Sequence, residues 1–130
     1  MNILLPPGWP RPSGFSNGMS AKGRMVFTAG IIGWDEKGRI VAPDLAGQLR
    51  QILLNTLAIL AEDGAGPEHV VRMTCYVTCR DEYVAGLAEI GAAWRETMGR
   101  NYPAMAVVGV AGLVEREAKI EVETIAVVPE

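Results

Sequence analysis

The chain has only two cysteines, Cys75 and Cys79, and one histidine, His69. That is too few ligands for a structural zinc site, and no disulfide framework can be built from them. On an extended strand the two thiols share a face, roughly 13 Å apart at about 3.3 Å per residue. A disulfide needs Cα atoms within about 7 Å. Both are read as buried, inert thiols. His69 falls in a loop with no serine or cysteine partner, so it is not read as a catalyst. No catalytic triad, phosphate loop or zinc spacing occurs. No basic run occurs either: 12 Lys and Arg stand against 15 Asp and Glu, for a net charge of −3 and a pI near 5.2. That argues against nucleic acid or an anionic membrane as the main partner. The longest apolar run, Ala104–Val114, has 11 residues counting glycine, and a bilayer span needs about 20. No basic segment followed by an apolar one opens the chain, so a cytoplasmic location is expected. Repeats, linkers and low-complexity stretches are absent, and residues 1–130 are expected to form one domain.

What the chain does have is apolar bulk, at 49% of residues. Residues 102–111 read as a strand that is apolar on both faces. Ala104, Ala106, Val108 and Val110 point one way, and Met105, Val107 and Ala111 the other. A strand covered once alternates apolar with polar. This one needs a second cover, and another subunit is the simplest source. Met105 and Val107 thereby become candidates for a ligand pocket.

Prolines and glycines at 6, 7, 8, 10, 12 and 14 mark an irregular start. A strand is expected over Arg24–Ile31, then a hairpin turn at Asp35–Gly38. Asp44 caps a helix to about Asp63, with Leu45, Leu49, Ile52, Leu53, Leu57 and Leu60 on one stripe and Gly64 as the stop. Val70–Thr78 is β-branched and reads as a strand. Asp81 is expected to cap a second helix that runs to Gly99, with Trp94 in its core stripe. Gly86 and Gly91 would allow that helix to pack closely. Strands over Tyr102–Ala111 and Ala118–Val128 complete an α+β order. Two helices cover one face of a mixed sheet. In the last strand Ile120 and Val122 suit the helix side, and Glu121 and Glu123 face the expected subunit interface.

This order resembles the Rid family, also called YjgF or L-PSP proteins. The matching pieces are Val26-Phe27-Thr28-Ala29-Gly30, Gln48-x-Arg50 with Asn55 downstream, and Val70-Val71-Arg72-Met73-Thr74. Asp81-Glu82-Tyr83, Tyr102-Pro103-Ala104 and Lys119-Ile120-Glu121-Val122-Glu123 complete the match. The resemblance implies a chorismate-mutase-like fold. It also implies a homotrimer whose sheets form a central barrel, with a small-molecule cleft between neighbouring subunits. Active members hydrolyse enamines and imines such as 2-aminoacrylate to 2-keto acids and ammonia, without metal or organic cofactor.

Their pattern has an Arg after Pro-Ala that grips the substrate carboxylate. A Glu in the last strand positions water. A Tyr near the N-terminus, a Ser before the early glycine and an Asn in the second helix complete the cleft. In this chain the Arg position is Met105, the Tyr position Phe15, the Ser position Ala29 and the Asn position Leu87. Glu121 alone keeps its family identity. Losing a charge-assisted carboxylate contact costs roughly 1.5–3 kcal/mol. The implied cleft is greasier, walled by Phe15, Ile32, Met105 and Val107, with Trp34 or Tyr102 near its mouth. The backbone N–H of Val107 remains available for an oxyanion, and Glu121 for general acid–base work. A hydrolytic deaminase with altered specificity is one functional expectation. A non-catalytic trimer that binds a small metabolite is a second, and endoribonuclease activity, which the resemblance also raises, is disfavoured by the acidic pI and the lack of a basic stripe with a general base.

Overall fold

A computed structural model describes residues 1–130. Its longest helix, α1 (Leu45–Ala61), begins where Asp44 accepts a hydrogen bond from the Gly47 amide at 3.1 Å, which satisfies one of the orphan donors of the first turn. Leu45, Leu49, Ile52, Leu53 and Leu60 are all buried, so the apolar stripe is the core-facing stripe. The helix stops at Gly64, which takes a positive φ of 74° while Ala65 donates back to the Leu60 carbonyl.

The main sheet contains β3 (Arg24–Phe27), β4 (Val70–Val77), β5 (Ala104–Gly109) and β6 (Ile120–Val128) in the order β3-β6-β4-β5. A small separate ladder joins β1 (Asn2–Ile3) to β2 (Met19–Ser20) within the segment expected to be irregular. β4 and β5 run parallel, because a helical crossover returns the chain between them; the other pairings are antiparallel. The crossover is two helices, not the one expected. α2 (Arg80–Ala85) follows Cys79, and α3 (Leu87–Met98) starts again after Gly86, whose φ of −95° and ψ of 12° break the helical run. Asp81 lies inside the first turn of α2, so it does not cap the helix. The early strand is also shorter than expected. Past Phe27 the regular ladder ends: the Thr28 amide still donates to the Thr124 carbonyl at 2.9 Å, but the Thr28 hydroxyl accepts from the Thr124 amide at 3.1 Å, and backbone pairing with β6 resumes at Ile31, opposite Val122.

The core lies between the sheet and the helices α1 and α3. Met73, Cys75, Val77, Ile120, Val122 and Ala126 meet Leu49, Ile52, Leu53, Ile90 and Trp94 there. Buried Gln48 ties two loops to α1: its Nε2 donates to the carbonyls of Ala42 and Glu117, and its Oε1 accepts from the Lys119 amide. His69 is structural, its Nδ1 accepting from the Gly66 amide at 2.9 Å. Cys75 is buried, as expected. Cys79 is exposed, because β4 ends before it and its side chain has left the sheet.

The other face of the sheet is uncovered in the single chain. Phe27 is 61% exposed and Met25 56%, and Val108, Ala106 and Ile125 extend the same surface. Register settles which residues belong to it. Tyr76 opposes both Glu121 and Val108, while Cys75 opposes Val122 and Val107. Met105 and Val107 therefore face the helices. Glu121 faces the opposite side, and the expectation that all three share one face does not hold. No helix is long and apolar enough to cross a membrane.

Candidate functional site

A short strap begins the site. Gly14 turns with a φ of 82°, and Ser16 then docks on the chain entering β5. Its amide donates to the Pro103 carbonyl at 3.0 Å and its hydroxyl to the Tyr102 carbonyl at 2.5 Å. Phe15 is thereby carried to the mouth of a cavity of about 680 Å³ between β5 and α3. Trp94 and Tyr102 stack along one wall, ring centroids 6.2 Å apart and 10° from parallel. The indole N–H donates to the Asn101 carbonyl at 3.1 Å, which lets a buried Trp keep its polar edge satisfied. Met105 and Val107 form the sheet side, and Leu87 lies on the helix side.

The cavity is largely apolar, and Arg95 is the one charged side chain in its lining. Burial pushes the Cys75 thiol up to about 12, so it stays protonated near pH 7. Burial is also the main cause that raises the Tyr83 hydroxyl above its ordinary value, with the nearby Cys75 adding to it. Cys75 Sγ approaches Met105 Sδ at 4.0 Å.

β5 is an edge strand, and its open edge carries free backbone. The Val110 amide donates to the Val77 carbonyl at 2.9 Å. Amides alternate sides along a strand, so those of Ala106 and Val108 turn toward β4 and that of Val107 turns away from it.

Of the residues read from the sequence, Phe15, Leu87, Met105 and Val107 come together in this cavity, and Tyr102 joins them. Ile32 does not: it is 6% exposed and outside the lining, because the Asn55 side chain draws the carbonyls of Ile32 and Trp34 onto α1. Trp34 is exposed elsewhere. Ala29 and Glu121 lie away from the cavity. The Glu121 carboxylate packs beside Gly30, where a Cβ would fall 2.5 Å from its Oε2. It is half-buried and makes no hydrogen bond or ion pair within the chain. Its neighbour Tyr76 donates instead to Glu123, at 2.6 Å, and that bond is the main cause of the raised Tyr76 hydroxyl. One chain thus carries the cavity and the Glu121 carboxylate on opposite faces of its sheet. Sequence reading missed Arg95 and Tyr83, which also line the cavity. The available signal was spacing: Leu87, Gly91 and Arg95 are four residues apart and share a helical face.

The model of the family Endoribonuclease L-PSP matches residues 10–128. The chain belongs to this family. A RutC family protein of Pyrococcus horikoshii is 34% identical, the match covering 95% of each chain. A protein of Salmonella typhimurium named 2-iminobutanoate/2-iminopropanoate deaminase is 36% identical over 81% of this chain and 80% of its own. Among solved structures, a member of the conserved Rid protein family from Yersinia pestis superposes with a TM-score of 0.85. It is 32% identical and the match covers 98% of both chains. Family membership accounts for the mixed α+β architecture, and some relatives in it carry a deaminase name.

Proposed function

We propose that the protein is a hydrolytic imine or enamine deaminase whose substrate has an apolar body, working in clefts between the subunits of a homotrimer. The supporting observation is the division of the site. An apolar cavity with a free Val107 amide lies on one face of the sheet, and an unpartnered, half-buried Glu121 lies on the other. Neither half can act alone. A neighbouring copy that packs on the open sheet face and reaches the free edge of β5 would bring its Glu121 to that edge, beside the Val107 amide and the cavity, and bury Phe27, Met25 and Val108, with the sheets closing into a barrel. Contiguous exposed apolar surface of this kind marks protein contact.

In the reaction Glu121 takes a proton from water as the water oxygen bonds to the imine carbon. Glu121 passes that proton to the imine nitrogen to give the carbinolamine, then takes the carbinolamine's hydroxyl proton and delivers it to the nitrogen as the C–N bond breaks, so that ammonia leaves and a carbonyl product remains. The Val107 amide holds developing negative charge. Water is the only co-reactant. The substitutions Met105, Phe15, Ala29 and Leu87 at polar family positions favour an apolar or aromatic-derived substrate. The same substitutions also support a second reading, a trimer that binds such a metabolite without turning it over.

The test generates a panel of 2-imino acids with an amino-acid oxidase and traps them with semicarbazide. The wild-type protein should suppress the trapped product, most for aromatic side chains, and Glu121→Ala should lose that effect while its assembled mass is unchanged. Full activity in Glu121→Ala refutes the mechanism. Saturable binding without turnover establishes the second reading.

A further inference from the structure

Arg95 is the only charged side chain lining the apolar cavity. It projects from α3 on the same face as Leu87 and Gly91, about two turns beyond the first and one beyond the second. Gly91 leaves room for it: a Cβ there would fall 3.2 Å from Arg95 Nη1, so the guanidinium lies back across the glycine toward the cavity. The guanidinium forms no ion pair. Its neighbour Glu96 is occupied by Arg50 through two bonds of 3.0 and 2.9 Å, and no acidic residue lines the cavity. An unengaged planar fork at the rim of an apolar hollow is suited to a carboxylate, which it can grip through two parallel bonds. Phe15, Leu87 and the Trp94–Tyr102 stack stand in the same lining and offer apolar surface to the body of such a ligand.

We propose that Arg95 is the anion anchor of this site and that the cavity selects small carboxylic acids with an aromatic or bulky apolar body. The cation stands on the helix wall, across the cavity from Met105 on the sheet wall. A ligand held by Arg95 has its apolar body directed inward onto Trp94, Tyr102 and Met105. This inference rests on the cavity being the ligand site, as in the reading above, and assigns the part of the ligand that it recognises.

The probes are phenylpyruvate and its methyl ester, which differ in the anionic charge. Isothermal titration compares wild type, Arg95→Gln and Arg95→Lys. Phenylpyruvate should bind the wild type saturably, bind Arg95→Gln about 10- to 100-fold more weakly, the range expected for one lost charge-assisted contact, and bind Arg95→Lys at an intermediate level. The ester should bind all three alike. Arg95 is exposed, so equal melting temperatures confirm that the variants fold. Unchanged phenylpyruvate binding in Arg95→Gln, or no saturable binding to wild type at millimolar concentration, overturns the proposal. The two readings fail separately. Arg95-dependent binding without imine hydrolysis removes the deaminase and keeps the anchor. Imine hydrolysis whose KM is untouched in Arg95→Gln keeps the deaminase and removes the anchor.

Discussion

Gln48→Leu tests the internal joint that leads into the Glu121 strand. The Gln48 side chain is 1% exposed and makes three bonds, to the carbonyls of Ala42 at 3.0 Å and Glu117 at 3.1 Å and from the Lys119 amide at 2.8 Å. A neutral hydrogen bond is worth about 0.5–1.5 kcal/mol net, and a buried group left unpaired costs about 1–3 kcal/mol. Three bonds place the loss between about 1.5 and 4.5 kcal/mol. Ala42 and Glu117 lie in loops that reach water once released, and leucine fills most of the volume with apolar atoms, so the lower-middle part of that range applies: about 2–3 kcal/mol. Interpolated for a chain of this size, about 3–5 °C per kcal/mol gives a fall in melting temperature of about 6–15 °C. The local signature is sharper. Lys119 stands two residues before Glu121 and loses its amide acceptor, so its hydrogen exchange should accelerate beyond what the global change explains. Calorimetry and amide exchange on Gln48→Leu read both effects. A variant within about 0.5 kcal/mol of wild type, with an unchanged Lys119 amide, refutes the reasoning.

Phe27→Glu places a charge on the uncovered sheet face, where Phe27 is 61% exposed in the single chain. It should lower the assembled mass seen by sedimentation and remove the concentration dependence of the melting temperature; an unchanged mass disproves the proposed trimer surface. Iodoacetamide at pH 8 should modify Cys79 and spare Cys75, whose thiol burial holds near 12, and mass spectrometry would show a single adduct. Equal labelling of both would mean that the core is open. The hydrogen bond from Arg50 holds Glu96 below its ordinary value, so the stability from this pair is present above the ordinary glutamate range and fades as pH falls through the lowered value. Glu96→Gln should therefore melt below wild type at pH 7 and approach it at pH 3. A gap that widens in acid contradicts the assignment.

Helix α1 was legible because every cue is local. An Asp cap, apolar residues at helical spacing and a glycine able to take positive φ lie within about 20 residues, and each acts on its own turn. The strands were legible for the same reason, up to their ends. Their ends depend on partners: β3 stops at Phe27 because the ladder with β6 is interrupted there, and Gly86 splits the crossover where the helical run is not held straight. The identity of the candidate residues Phe15, Leu87, Met105 and Val107 was also in the sequence, through motifs spread along nearly the whole chain. Their arrangement was not. A strand apolar on both sides carries no mark of which side meets the helices. Only the pairing of Cys75 with Val107 and Val122 places Met105 and Val107 under α3 and turns Glu121 to the other face. The joining role of Gln48, named only as part of a motif, and Arg95's place in the cavity were not legible for a related reason. A polar residue on a helix acquires meaning from loops or a cavity far away in the chain, and that proximity exists only after folding.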